Sequence, residues 1–153
     1  MNNNTRLLLG IVCIVMGLFW PNIKDLVPEV RPEPDPIPKI VIDKPNDNVL
    51  SKVSPVADLV TDQEDRLNLA VFNNVFSERV ENYDADAQQV NDVYVEAAKN
   101  IFGDTLKGKY IGYGENINKL LESSLGTENH TVTANEKDNL SQNFKGLAYS
   151  LAN

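Results

Sequence analysis

The chain has 153 residues, 42% hydrophobic and 24% charged, and its 22 acidic and 14 basic side chains give a formal net charge of −8. That length admits one small domain and leaves little room for two. Nucleic-acid affinity depends on Lys and Arg displacing condensed counterions, so an acidic chain of this kind is not expected to bind DNA or RNA. The charge is unevenly placed: residues 1–24 carry +2 (Arg6, Lys24), 25–55 carry −2 (six acids, four bases), and 56–153 carry −8 (sixteen acids, eight bases).

The first predicted element is a membrane anchor over residues 1–27. Leu7 to Trp20, LLLGIVCIVMGLFW, is an unbroken apolar run of 14 residues. As a helix it spans about 21 Å at about 1.5 Å per residue, against a hydrocarbon core of about 30 Å. The anchor side chains are Leu7, Leu8, Leu9, Ile11, Val12, Ile14, Val15, Leu18, Phe19 and Trp20. The flanks extend the run: uncharged Asn2 to Thr5 enter the interface, Trp20 suits an aromatic belt, Ile23, Leu26 and Val27 continue past Pro21, and Lys24 snorkels. A cleaved signal peptide and a buried core helix are the competing readings. Signal peptidase needs small residues in an A-x-A-like pattern just after the run, but FWPNIKDLVPEV follows, with no alanine before Ala57, which favours an uncleaved signal anchor. Cys13 follows Val12 instead of a small residue, so a lipoprotein signal is disfavoured, and a single cysteine forms no intrachain disulfide. Arg6 and the α-amino group favour a cytoplasmic amino terminus. The expectation is therefore a single-pass membrane protein with its carboxyl-terminal domain periplasmic or extracellular.

Residues 28–55 read as a Pro-rich linker. Prolines at 32, 34, 36 and 38 fix φ, remove donors and push each preceding residue out of the α region, which holds the chain in polyproline II. From Pro28 to Pro45 this makes a semi-rigid spacer of about 50 Å at about 3.1 Å per residue. The spacings do not contain P-x-x-P, so the stretch reads as a spacer and not as a ligand for aromatic-groove domains. In composition, residues 28–45 resemble the Glu-Pro and Lys-Pro spacers of membrane-anchored energy-transducing proteins of the TonB type. That likeness implies a spacer and nothing about residues 56–153. KIVID, Lys39 to Asp43, is a short β-branched run able to pair with a strand edge.

Residues 56–153 are predicted to form an acidic helical domain. The first helix opens on TDQE, with Thr61 and Glu64 in capping-box positions, and carries Leu69, Phe72, Phe76, Val80 and Tyr83 on one face, widened by Val71 and Val75. After a corner at NYDAD, a second helix starts near Asp86, with Gln89 three later, and shows Val90, Val93, Tyr94, Ala97, Ala98, Ile101 and Phe102 before Gly103. A third runs from about Glu115 through Ile117, Leu120, Leu121 and Leu125 to Gly126. A fourth opens at Thr133 with Glu136 as box partner and shows Leu140, Phe144, Leu147, Ala148 and Leu151. The fold class expected is mainly α: an anchor helix, an extended spacer, and a small antiparallel bundle of about four helices.

Catalytic and metal constellations lack their parts. His130 is the sole histidine and Cys13 lies in the anchor, so Ser-His-Asp, Cys-His and zinc sites cannot be assembled. GYGENI places Ile117 where a dinucleotide fingerprint needs its third glycine, and DADAQQVNDVYV places Gln89 and Val95 where a calcium loop needs Gly and Glu. No glutamate has the Asp or Cys nine residues later that a phage-type lysozyme motif requires. The expectations are no catalytic residues, no metal, no cofactor and no small-molecule substrate. Residues 62–96 carry nine acids against Arg66 and Arg79, a solvated face or a patch for a basic partner. The candidate partner-binding loop is GDTLKGKYIGYG, Gly103 to Gly114, where Lys107, Lys109, Tyr110 and Tyr113 combine glycine backbone with amphipathic tyrosines. The alternative for that loop is closure over the bundle end, burying Tyr110 and Ile111. Function then reads as a non-enzymatic, membrane-anchored interaction or scaffold protein of a bacterial or phage-infected envelope with an unknown protein partner. The alternatives are a lysis regulator acting on a pore or wall-degrading protein, and a virion or envelope structural component.

Overall fold

The computed structural model describes residues 41–82 and 84–153. The anchor, the spacer up to residue 40 and Tyr83 lie outside the described residues. Residues 41–153 are mainly helical, with five helices and no named strand among the described residues. They are α1 (Asp47–Ala57), α2 (Gln63–Asn82), α3 (Ala87–Phe102), α4 (Ile111–Leu125) and α5 (Ala134–Ala152).

About four helices were expected, and the fifth is α1, whose residues 47–55 fall in the stretch read as linker. Its start is set by Asn46, whose side-chain oxygen accepts from the Val49 N–H at 2.9 Å. Pro55 sits in the last turn, where its missing donor affects only a single bond of the helix. Val53 and Ala57 are buried, with Val49 and Val56 packed beside them. The i, i+4, i+7 spacing of those valines was present in the sequence, but a proline-rich context obscured it. KIVID makes no strand over its described residues 41–43, and Val41 is 79% exposed.

α2 and α5 form the spine. Arg66 of α2 meets residues 150 and 151 of α5, while Glu81 meets Ser141 and Lys145, so the two helices are antiparallel. α1 instead runs parallel to α5, since Val49 lies at Gly146 and the Ser54 hydroxyl is 3.0 Å from that of Ser150. Gly146 permits this approach: a Cβ there would stand 2.5 Å from Val49 Cγ1 and 3.2 Å from Val53 Cγ2. α3 packs antiparallel to α2 through edge-to-face rings, Phe72 with Phe102 at 5.7 Å and Phe76 with Tyr94 at 4.8 Å between centroids. Phe144 of α5 closes the cluster against Phe76 and Tyr94.

Polar side chains hold the helix ends. The Arg66 guanidinium donates to the carbonyls of Ala57, Val60, Ser150 and Leu151 at 2.7–3.2 Å, so one cation serves the carboxyl-terminal ends of both α1 and α5. The cap of α2 lies one residue beyond the expected Thr61 box: Asp62 Oδ1 accepts from the N–H groups of Glu64 and Asp65. A carboxylate answers the positive helix start better than a hydroxyl, and hydrogen bonding to Asp65 holds the Asp62 carboxyl below its ordinary value. The Thr133–Glu136 box at α5 forms as expected. At α3, Gln89 Oε1 accepts from the Asp86 N–H. Gly103 and Gly126 stop α3 and α4 at φ +55° and +73°, in the region that favours glycine.

The segment 126–133 clasps the start of α3. The N–H of Ala87 donates to His130 O, that of Val132 to Ala85 O, and that of Gln88 to Asn129 Oδ1. His130 ties this clasp to α5, with Nδ1 2.9 Å from Glu128 O and Nε2 2.8 Å from Glu136 Oε1. Two acceptors on one ring favour the doubly protonated form, and the Glu128 carbonyl, followed by Glu136, raises the His130 value above 6.5. Glu136 is held below 4.5, first by the Thr133 backbone N–H and then by His130.

Two predictions test these contacts. Gly146→Leu drives a side chain into Val49 and Val53 and should lower stability by about 1–3 kcal/mol, measured by urea unfolding. An effect of the same size in a Val49→Ala, Val53→Ala background, which removes the opposing methyl groups, would refute the proposed clash. For the clasp, a raised value stabilises below 6.5 and loses that contribution as pH rises through the folded value. A depressed one stabilises above 4.5 and loses it as pH falls. The His130–Glu136 contribution should therefore be fullest between pH 4.5 and 6.5, and His130→Gln should flatten the pH dependence of the melting temperature on the alkaline side of that window. An NMR titration of His130 at or below 6.5 contradicts the geometry.

Candidate functional site

The loop singled out by sequence is largely built into the bundle. Residues 103–110 form a run of turns after α3, and α4 begins at Ile111, about one turn before the expected Glu115. Gly114 lies against the loop, where a Cβ would stand 3.1 Å from the Leu106 carbonyl oxygen. The loop backbone therefore folds onto the first turn of α4.

The four loop residues separate into three environments. Tyr113 is fully buried: its hydroxyl accepts from Asn73 Nδ2 at 2.9 Å, while the Tyr94 hydroxyl donates to Asn73 Oδ1 at 3.1 Å. Asn73 Nδ2 also donates to Leu69 O, so the one buried amide satisfies α2, α3 and α4 together. Burial pushes the phenols of Tyr94 and Tyr113 well above 10.0. Tyr110, 4% exposed, donates to Asp65 Oδ2 at 2.7 Å and accepts from the Asp62 N–H at 3.3 Å. Lys109 Nζ is 2.8 Å from the same Asp65 oxygen and 5.0 Å from the Tyr110 ring centre. That carboxylate, ahead of the other contacts, raises the Lys109 value. Thus Lys109 and Tyr110 tie the loop to the start of α2, Tyr113 belongs to the core, and neither tyrosine presents its ring to solvent.

Lys107 alone of the four faces a cleft. The cleft, of ≈ 440 Å³, lies between α3 and α4 and is floored by Tyr94, Ala98, Leu106 and Ile117. Along it Val95 is 46% exposed and Ile111 is 58% exposed, and Lys99, Lys107 and Glu115 supply its charge. Ile111 stays outside where loop closure was expected to bury it. Val95 was missed because it stands off the apolar stripe of its helix. A β-branched residue on the polar side was the available signal. A second cleft, of ≈ 370 Å³ between α2 and α3, is lined by Asp84, Asp92 and Glu96 with Arg79, within the acidic 62–96 stretch. Among the described residues no group of three or more His, Cys, Asp or Glu is placed to hold a metal ion.

Comparison with protein-family models, with curated proteins and with solved structures finds no match to this chain.

The buried amide is testable on its own. Asn73→Leu strands two buried hydroxyls and should cost about 2–5 kcal/mol, whereas Tyr113→Phe removes a single hydroxyl and should cost about 1–3 kcal/mol. Because the phenols are raised in the fold, their contribution is complete below pH 10.0 and declines as pH climbs above it. Tyr94→Phe should therefore lessen the fall in melting temperature above pH 10.0, followed by circular dichroism. An unchanged alkaline slope would exclude Tyr94 as its source.

Proposed function

We propose that the chain is a membrane-anchored, non-enzymatic helical interaction or scaffold protein, displaying an acidic bundle outside the cytoplasm to a protein partner. The observation that carries the reading is the abrupt change near Asn46. Before it run an apolar 14-residue stretch and a proline-alternating spacer, and at Asn46 a helix is capped and a tightly packed head begins. Among the described residues no helix is long and apolar enough to cross a membrane, so a membrane role rests on Leu7 to Trp20. The head's interior is fully engaged: every buried side-chain polar atom among the described residues has a partner. Buried polar groups held in this way position the helices, and interaction falls to the surface.

The test is fractionation of cells expressing the whole chain. It should stay with membranes through an alkaline carbonate wash, dissolve in detergent, and give an intact mass that retains the apolar run. External protease should remove the head from spheroplasts. Release by carbonate, or a mature chain starting between Trp20 and Val30, would overturn the anchor.

A further inference from the structure

The α3/α4 cleft brings exposed apolar side chains and unpaired cations together in one place. Val95 and Ile111 leave large apolar side chains open along it, 46% and 58% exposed. Its cations are also unpaired. Lys44, Lys109, Lys137 and Lys145 each meet a carboxylate, and Arg66 is occupied by four carbonyls. Among the described residues Lys52, Lys99, Lys107 and Lys119 form no ion pair or hydrogen bond, and of these Lys99 and Lys107 line this cleft together. Glu115 is the one acid in its wall, so the cleft carries a net positive charge although residues 56–153 hold sixteen acids and eight bases.

From this charge complementarity we infer that the cleft docks an amphipathic helix of a partner protein, its apolar stripe on Val95 and Ile111 and its flanking carboxylates at Lys99 and Lys107. The inference rests on the docking reading above and gives its partner a chemistry. A groove between two helices, with no named strand edge beside it, suits a helix more than an added strand. The α4 wall from Ile111 to Asn118 is about 10 Å long, room for about two turns of a docked helix and its i, i+3/i+4, i+7 contacts. The lysines gain from docking because their charge meets carboxylates as water leaves the cleft edge, and like-charged segments are turned away.

The experiment uses the whole chain, in phosphatidylcholine nanodiscs or, if fractionation shows it soluble, in buffer. Three fluorescent helical peptides of about five turns are titrated by anisotropy: a Leu stripe flanked by Glu, the same stripe flanked by Lys, and a Ser stripe flanked by Glu. The acid-flanked Leu peptide should bind at least about 10-fold tighter than either of the others. Val95→Glu with Ile111→Glu should weaken it at least about 10-fold, and Lys99→Glu with Lys107→Glu should reverse the charge preference. Both pairs are exposed, and thermal melts confirm that the head is intact. Absence of saturable binding, equal affinity for both flanks, or indifference to the cleft variants overturns the inference. So does a stoichiometric complex with dodecanoate when the peptides do not bind, which marks a small-amphiphile site. A dimer abolished by Val95→Glu would assign the cleft to a second copy and also overturns it. Loss of membrane attachment with peptide binding intact would instead remove the anchor reading and leave the cleft standing.

Discussion

A single buried amide sets the geometry of the head. Asn73 is fully enclosed on α2, and an unpaired amide there would cost about 1–3 kcal/mol for each group left without a partner. Its side chain reaches Leu69 O within its own helix and the hydroxyls of Tyr94 and Tyr113 on two others. Apolar packing tolerates small sliding, whereas three directed bonds to one group do not. The rings around it follow: Tyr94, once fixed by its hydroxyl, stacks edgewise on Phe72 and Phe76 and tilts against Phe144. In this way α3 and α4 are held to a spine made by α2 and α5.

The ends of the spine are closed electrostatically. Four helix-end or turn carbonyls converge on Arg66, whose planar fork of donors suits several acceptors at once. The arrangement joins α1, the connection to α2, and the last turn of α5 at one corner. Gly146 lets α1 lie close along α5 by leaving space where a side chain would meet Val49. The first described helix after the proline-rich stretch is thus fastened directly to the α5 side of the spine.

With its interior engaged, the head presents two contrasting faces. The α2/α3 cleft is acidic, and a pair such as Lys137 with Asp84 shows how carboxylates there are partly neutralised by α5. The α3/α4 cleft is apolar and cationic. Exposed ion pairs add little stability, so leaving Lys99 and Lys107 unpaired costs the fold almost nothing. A surface can therefore carry recognition charge without weakening the bundle, which is why the docking reading is compatible with a tightly packed head.

Period and capping chemistry made much of the bundle legible in the sequence alone. Leu69, Phe72, Phe76 and Val80 recur at helical spacing and are buried, Gly103 and Gly126 end their helices, and Thr133 with Glu136 starts α5. These are local rules, decided within a few residues. α1 was obscured because Pro55 and the preceding prolines argue locally for a linker, whereas the pairing of Val49 and Val53 with Gly146 is a contact across about a hundred positions of chain. The one-sided stripe expected for α2 also understates its burial. Residues 68–73 are buried without a break because other helices surround them, a property of neighbours and not of period. The site divides in the same way. Composition pointed to the Gly103–Gly114 loop, but a tyrosine that can serve a surface or a core declares its side only when a hydroxyl partner such as Asn73 or Asp65 is in place. Helix existence, ends and core-facing residues were thus written in the chain, while the parallel α1, the inward tyrosines and the α3/α4 cleft arose only when distant segments met.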